Sequence, residues 1–124
     1  MNLKEFFENL NVMDESIPRM LEAYLSWVDK KFGVDYTLRQ QKRVAITIGG
    51  TVKSVLFIRK TKNYIYVQFK DYPDSLEGFV RNNISDPENV EIIHKNDPQG
   101  PICRFRVYND NDLNVLKKST EKYL

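Results

Sequence analysis

Eight lysines and arginines stand between residues 36 and 70: Arg39, Lys42, Arg43, Lys53, Arg59, Lys60, Lys62 and Lys70. No aspartate or glutamate interrupts them. The flanking stretches run the other way, with net −3 over 1–35 and net −5 over 71–100, before 101–124 returns to +2. A formal charge of +2 for the whole chain therefore conceals a basic block of +8. Positive charge gathered in this way attracts phosphate or acidic surfaces. Within and beyond the block, cations alternate with aromatic rings at the two-residue period of a strand. Tyr64, Tyr66, Gln68 and Lys70 share one side, as do Arg104, Arg106 and Tyr108, and as do Arg43 and Thr47. Single-stranded nucleic acid is bound by this chemistry: cations meet phosphates, and aromatic faces stack bases at about 1–3 kcal/mol each. The expected binding residues are Arg43, Lys53, Arg59, Lys60, Lys62 and Lys70 of the block, Arg104 and Arg106 beyond it, and the rings of Tyr64, Tyr66 and Tyr108. A plainer reading of the same pattern is an ordinary solvated strand face whose charge balances the acidic flanks.

Other chemistries find no constellation. His94 and Cys103 are single, with no paired Cys or His at metal-ligand spacing. Asp71, Asp74 and Glu77, and Asp86, Glu88 and Glu91, are spaced as acids in first helical turns are, and neither set forms a calcium-loop pattern. A nuclease-like Glu-x-Lys is missing, because Ile93 stands where Glu91 would need a lysine. Gly49-Gly50 lacks the Gly-Lys-Ser/Thr run of a phosphate loop, and no Gly-x-Ser-x-Gly elbow accompanies His94. The chain is therefore expected to be non-catalytic, with no metal and no cofactor. The segment Lys62-Asn63-Tyr64-Ile65-Tyr66-Val67-Gln68-Phe69 resembles the octapeptide of RNA-recognition motifs at its aromatic positions. Asn63 and Ile65 replace its small residues, and a hairpin at Gly49-Gly50 stands where that fold places a helix. The fold is set aside and the surface chemistry retained.

The elements that must position these residues follow from periodicity. With 124 residues, 41% hydrophobic and 29% charged, the chain has the size and composition of one soluble globular domain, 1–124. It comprises an N-terminal helical pair over 1–33 and a sheet with two helices over 43–124. Leu3, Phe6, Phe7 and Leu10 mark one short helix, with Asn2 as its cap. Asp14 or Ser16 caps a second, whose stripe runs Ile17, Leu21, Tyr24, Leu25, Val28 and Phe32 and which stops at Gly33. Strands are expected over 43–48, 52–59 and 64–70, the first two joined at Gly49-Gly50. A helix capped by Asp74 or Ser75 follows, then a strand over 90–94, a turn over Asn96–Pro101, a strand over 103–108 and a last helix from the Asn109–Asp112 cap. The resulting order, α-α-β-β-β-α-β-β-α, predicts an α+β fold: an antiparallel sheet of about five strands with its helices on one face. No apolar run approaches the ~20 residues of a membrane span. The polar N-terminus and single cysteine point to a reducing, cytoplasmic location.

The layout resembles two known groups. Paired strands at 52–59 and 64–70 lead into a helix. A segment around His94 follows, then Cys103-Arg104-Phe105-Arg106-Val107 and a terminal helix from Asp112-Leu113 to Tyr123. This looks like the small uncharacterised α+β domain appended to modification-dependent restriction endonucleases and related defence proteins. It is also similar to the double-wing, frataxin-like family of small DNA-binding proteins. The resemblance covers roughly residues 43–124, rests on layout, and carries over no functional residue. It implies a nucleic-acid-associated or defence-associated role. Three partner classes are expected: nucleic acid on the basic, tyrosine-bearing sheet face; an acidic protein partner, as for a defence accessory or a phage-type inhibitor; or a small phosphorylated ligand. Pairing with a second copy as a homodimer is a variant of the second.

Overall fold

The computed structural model describes residues 3–8, 10–33, 35–39, 43–48, 50–70, 72, 75–93 and 101–123. His94, the Asn2 and Asp74 caps, Gly49, Lys42 and the turn residues 96–100 lie outside them, as do the side chains of Leu3, Arg39 and Tyr123.

The chain runs α1 (Leu3–Glu8), α2 (Ser16–Phe32), β1 (Asp35–Arg39), β2 (Arg43–Ile48), β3 (Thr51–Ile58), β4 (Ile65–Lys70), α3 (Ser75–Asn83), a 3-10 turn (Pro87–Asn89), β5 (Glu91–Ile93), β6 (Ile102–Val107) and α4 (Asp110–Tyr123). The fold is α+β. One antiparallel sheet has the order β1-β2-β3-β4-β6-β5, and the helices pack on a single face of it. The sheet has one strand more than expected. Asp35-Tyr36-Thr37-Leu38-Arg39 pairs along β2 from Asp35 opposite Thr47 to Arg39 opposite Arg43. Tyr36 and Leu38 do alternate with Asp35, Thr37 and Arg39, but two apolar residues make too short a run to announce a strand by period alone.

Helix α2 shows how local sequence and core combine. Neither expected cap residue stands at the N-cap, which is Glu15 without a side-chain cap bond; instead Asp14 Oδ1 accepts hydrogen bonds from the backbone N–H of Ser16 at 2.9 Å and from its hydroxyl at 2.6 Å, a turn that leads into the helix. These bonds hold the Asp14 carboxyl below the usual aspartate range. Ile17, Met20, Leu21, Tyr24, Leu25 and Val28 form the buried stripe, each stabilising the fold by roughly 1.5–3 kcal/mol of apolar burial. Gly33 ends the helix at φ 59°, where its N–H reaches Asp29 O at 2.8 Å and a side chain would be strained.

The sheet alternates as its sequence predicts. Ser54, Leu56 and Ile58 of β3, Ile65, Val67 and Phe69 of β4, and Cys103, Phe105 and Val107 of β6 turn inward. The apolar ones join Phe6, Leu10, Leu76, Val80, Leu113, Val115 and Leu116 in one core. Phe69 and Phe105 stack across the β4–β6 pair at 5.9 Å. Ile48 lies opposite Thr51, which leaves a two-residue Gly49-Gly50 connection with Gly50 at φ 80°. The β2–β3 register slips at Ile46/Thr47, and Lys53 is the extra residue of that bulge. Asp112 is fully buried at the start of α4. It accepts hydrogen bonds from the Ser85 N–H (2.9 Å), the Ser85 hydroxyl (2.6 Å) and the Tyr108 N–H (3.0 Å), tying the end of β6 to the segment after α3.

Candidate nucleic-acid interface

The face of the sheet turned away from the helices carries the outward residues in two cross-strand rows. One row is Arg43, Phe57, Tyr66 and Arg106 on β2, β3, β4 and β6. The next is Ala45, Val55, Gln68, Arg104 and Glu91, ending on β5. Lys70 lies beyond them, opposite Ile102. Strands far apart in sequence thus place Arg43, Tyr66, Lys70, Arg104 and Arg106 on one surface, and Arg59 joins them just past the end of β3: six of the eleven residues expected there.

Two hollows open side by side on this surface. The first, about 370 Å³, is lined by Arg59, Tyr64, Tyr66, Arg104 and Arg106 together with Phe57 and Gln68. The second, about 340 Å³, lies between Arg43, Val55 and Lys70 and shares Phe57 and Gln68 with the first. Phe57 is the ring common to both, and the Arg43 guanidinium sits 5.2 Å from its centre. The sequence reading left Phe57 out, although Leu56 and Ile58 facing inward require it to face outward.

Arg106 is the most closely held cation. Its guanidinium lies 4.6 Å from the Tyr64 ring centre, and Nη1 donates to the Tyr108 hydroxyl at 3.3 Å. That hydroxyl donates to Asp86 Oδ2 at 3.0 Å, and Asn89 Nδ2 holds the same oxygen at 2.6 Å. Chiefly through the Tyr108 contact, the arginine is held firmly in its charged form. Arg104 faces a carboxylate instead: its Nη1 is 3.7 Å from Glu91 Oε2, the oxygen that also accepts from the Tyr66 hydroxyl at 3.4 Å. Burial first, and Glu91 second, push the Tyr66 hydroxyl above the usual tyrosine range. The Nε atoms of Arg104 and Arg106 are shut off from solvent and meet no acceptor among the described residues.

The remaining expected residues are placed differently. Tyr64 does not offer a free ring: it is 8% exposed, precedes β4, and is enclosed by Arg106, Tyr108 (5.3 Å between centres) and Tyr66 (6.4 Å). Tyr108 is half-buried and committed to the same cluster. Lys60 and Lys62 are exposed on the β3–β4 turn rather than on the sheet. The Lys60 carbonyl accepts from the Met13 N–H at 3.0 Å, and Lys62 borders a shallow depression shared with Asp14 and Glu15. Lys53, at the bulge, is half-buried and lines neither hollow.

Among the described residues, no three His, Cys, Asp or Glu side chains gather as a metal site would. No described helix is long and apolar enough to cross a membrane. Cys103 is buried in the core, and burial pushes its thiol up to about 12, far from a reactive thiolate. The chain matches no protein-family model, no curated protein and no solved structure. The resemblance in layout therefore gains no relative, and the functional reading stands on the surface itself.

Proposed function

We propose that the protein is a non-catalytic binder of single-stranded nucleic acid, and that the strand lies along the outer face of the sheet. The observation that carries this reading is the pair of adjoining hollows, with an aromatic floor in Phe57 and cationic walls in Arg43, Arg59, Lys70, Arg104 and Arg106. Cations at the rim of an aromatic floor suit a backbone tracked by charge while a base lies flat on a ring. The hollows sit at the lower end of the ~300–1,000 Å³ range of small-ligand sites, a size suited to single nucleotides rather than to a large ligand.

The test is an anisotropy titration of end-labelled single- and double-stranded DNA and RNA, repeated with Arg43→Glu and Arg106→Glu. Binding of single strands that either reversal weakens supports the reading. Absence of binding at low salt refutes it and leaves the face to an acidic protein partner. Such a partner would present carboxylates to the arginines as Glu91 presents its own to Arg104.

A further inference from the structure

Among the described residues, Glu91 is the carboxylate ion-paired with a cation of the first hollow, and it is held loosely. A single oxygen serves both Arg104 at 3.7 Å, an ion pair beyond hydrogen-bond distance, and Tyr66 at 3.4 Å, at the outer limit of a hydrogen bond. Its side chain is 60% exposed, whereas that of Arg104 is 23% exposed. Arg104 and Arg106 stand two residues apart on β6, beside Gln68 and Tyr66 on β4, and point into the same hollow. Each uses one Nη1 on the protein, and each keeps a buried Nε without an acceptor. Leaving such a donor unmet is costly, and an anion seated in the hollow into which both guanidinium groups point would supply the missing acceptor. A carboxylate on β5 reaches the Arg104 side alone. A phosphate has more acceptor oxygens and the geometry guanidinium forks prefer, so it can engage Arg104, Arg106 and the Tyr66 hydroxyl together.

We propose that this hollow is a seat for one phosphate group, and that the Glu91 carboxylate occupies the Arg104 side of it until the phosphate displaces it. The seat deepens the strand-binding reading, and rests on that reading for a phosphodiester as the source of the phosphate. A terminal phosphate of a small molecule has the same chemistry. Glu91 then acts as a built-in competitor that lowers affinity for every weaker anion.

The experiment follows the Nε–Hε NMR signals of Arg104 and Arg106 in the isotope-labelled full chain. Wild type, Glu91→Gln and, as a charge-matched control, Glu88→Gln are each titrated with inorganic phosphate and with a short oligothymidylate. Glu88 is exposed on the neighbouring 3-10 turn and lines neither hollow. Both arginine signals should move on adding phosphate, and Glu91→Gln should reach half-saturation at about two- to fivefold lower concentration, the scale of one exposed ion pair. Glu88→Gln should titrate as wild type does. Unmoved signals, an unchanged or weaker Glu91→Gln, or an equal gain in Glu88→Gln would overturn the seat. If phosphate moves the signals and the oligonucleotide does not bind at all, the seat stands for a small phosphorylated ligand and the strand-binding reading fails. If the oligonucleotide binds and neither it nor phosphate moves the signals, the strand-binding reading stands and the seat fails.

Discussion

Arg106 lies with its guanidinium 4.6 Å from the centre of the Tyr64 ring, so the ring that sequence alternation assigns to base stacking is already covered by a cation of the same chain. Tyr64 is thereby a support for Arg106. Tyr108 and Asp86 complete the support from the other side through hydrogen bonds of 3.3 and 3.0 Å. The cluster converts a long, mobile side chain into a fixed donor at the edge of the first hollow, which lowers the entropic cost of engaging an anion.

Replacing Tyr108 by Phe removes the hydroxyl that links Arg106 to Asp86 while keeping the ring against Tyr64. The expected loss in folding stability is about 1 kcal/mol, the net value of a partly exposed hydrogen bond to a charged group. Urea unfolding measures it. Oligonucleotide affinity should fall with it, because Arg106 becomes free to sample other rotamers. Unchanged affinity would mean that its positioning is immaterial.

Phe57 is the more accessible ring: it is half-buried and lines both hollows, whereas Tyr64 lines only the first and is 8% exposed. Phe57→Leu preserves apolar bulk on β3 but removes the flat face. Single-strand binding should weaken by roughly 1–3 kcal/mol in a titration of labelled oligonucleotide. Tyr64→Phe, which keeps a ring under Arg106, should bind nearly as wild type does. Wild-type affinity in Phe57→Leu would contradict Phe57 as the stacking residue.

Much of this arrangement is legible in the sequence. The inward phase of Ile65, Val67 and Phe69, the Gly49-Gly50 connection and the Gly33 stop follow from local rules of period and backbone freedom. The features that escape are those set by partners distant along the chain. Tyr64 is enclosed by Arg106 and Tyr108, and Arg104 is shared with Glu91, through the β4–β6–β5 pairing. No local pattern reports such neighbours. Phe57 is a different case: an all-apolar run reads as buried on both faces, and which of its members floors an open surface depends on what covers that face. Lys60 and Lys62 belong to the basic block but fall between the strands expected at 52–59 and 64–70, so their place on the β3–β4 turn is legible as well.

Alkaline pH should destabilise the fold. Burial raises the Cys103 thiol from 9.0 to about 12, and burial also raises the hydroxyls of Tyr24 and Tyr66 above the ordinary 10.0. Each group loses its proton first in the unfolded chain, so its contribution is complete below the unfolded pKa and is lost as pH rises toward the folded one. Stability from chemical denaturation should be level with respect to these groups below pH 9 and fall between 9 and about 12. Over the same range Cys103 should resist thiol reagents while the protein is folded and react on unfolding. Rapid labelling of the folded protein near neutral pH would contradict its burial.

The central claim is that the outer sheet face binds a nucleic-acid backbone through its arginines, and salt dependence of single-strand affinity tests it most directly. If three or four of Arg43, Arg59, Lys70, Arg104 and Arg106 contact phosphates, log affinity should fall with log salt at a slope of about −2 to −3, a loss of roughly 20- to 50-fold between 50 and 200 mM. Charge reversal at Arg104 or Arg106 should weaken binding and make the slope shallower by about 0.7. Affinity that is flat across this range, or that keeps its slope when either arginine is reversed, would contradict the account.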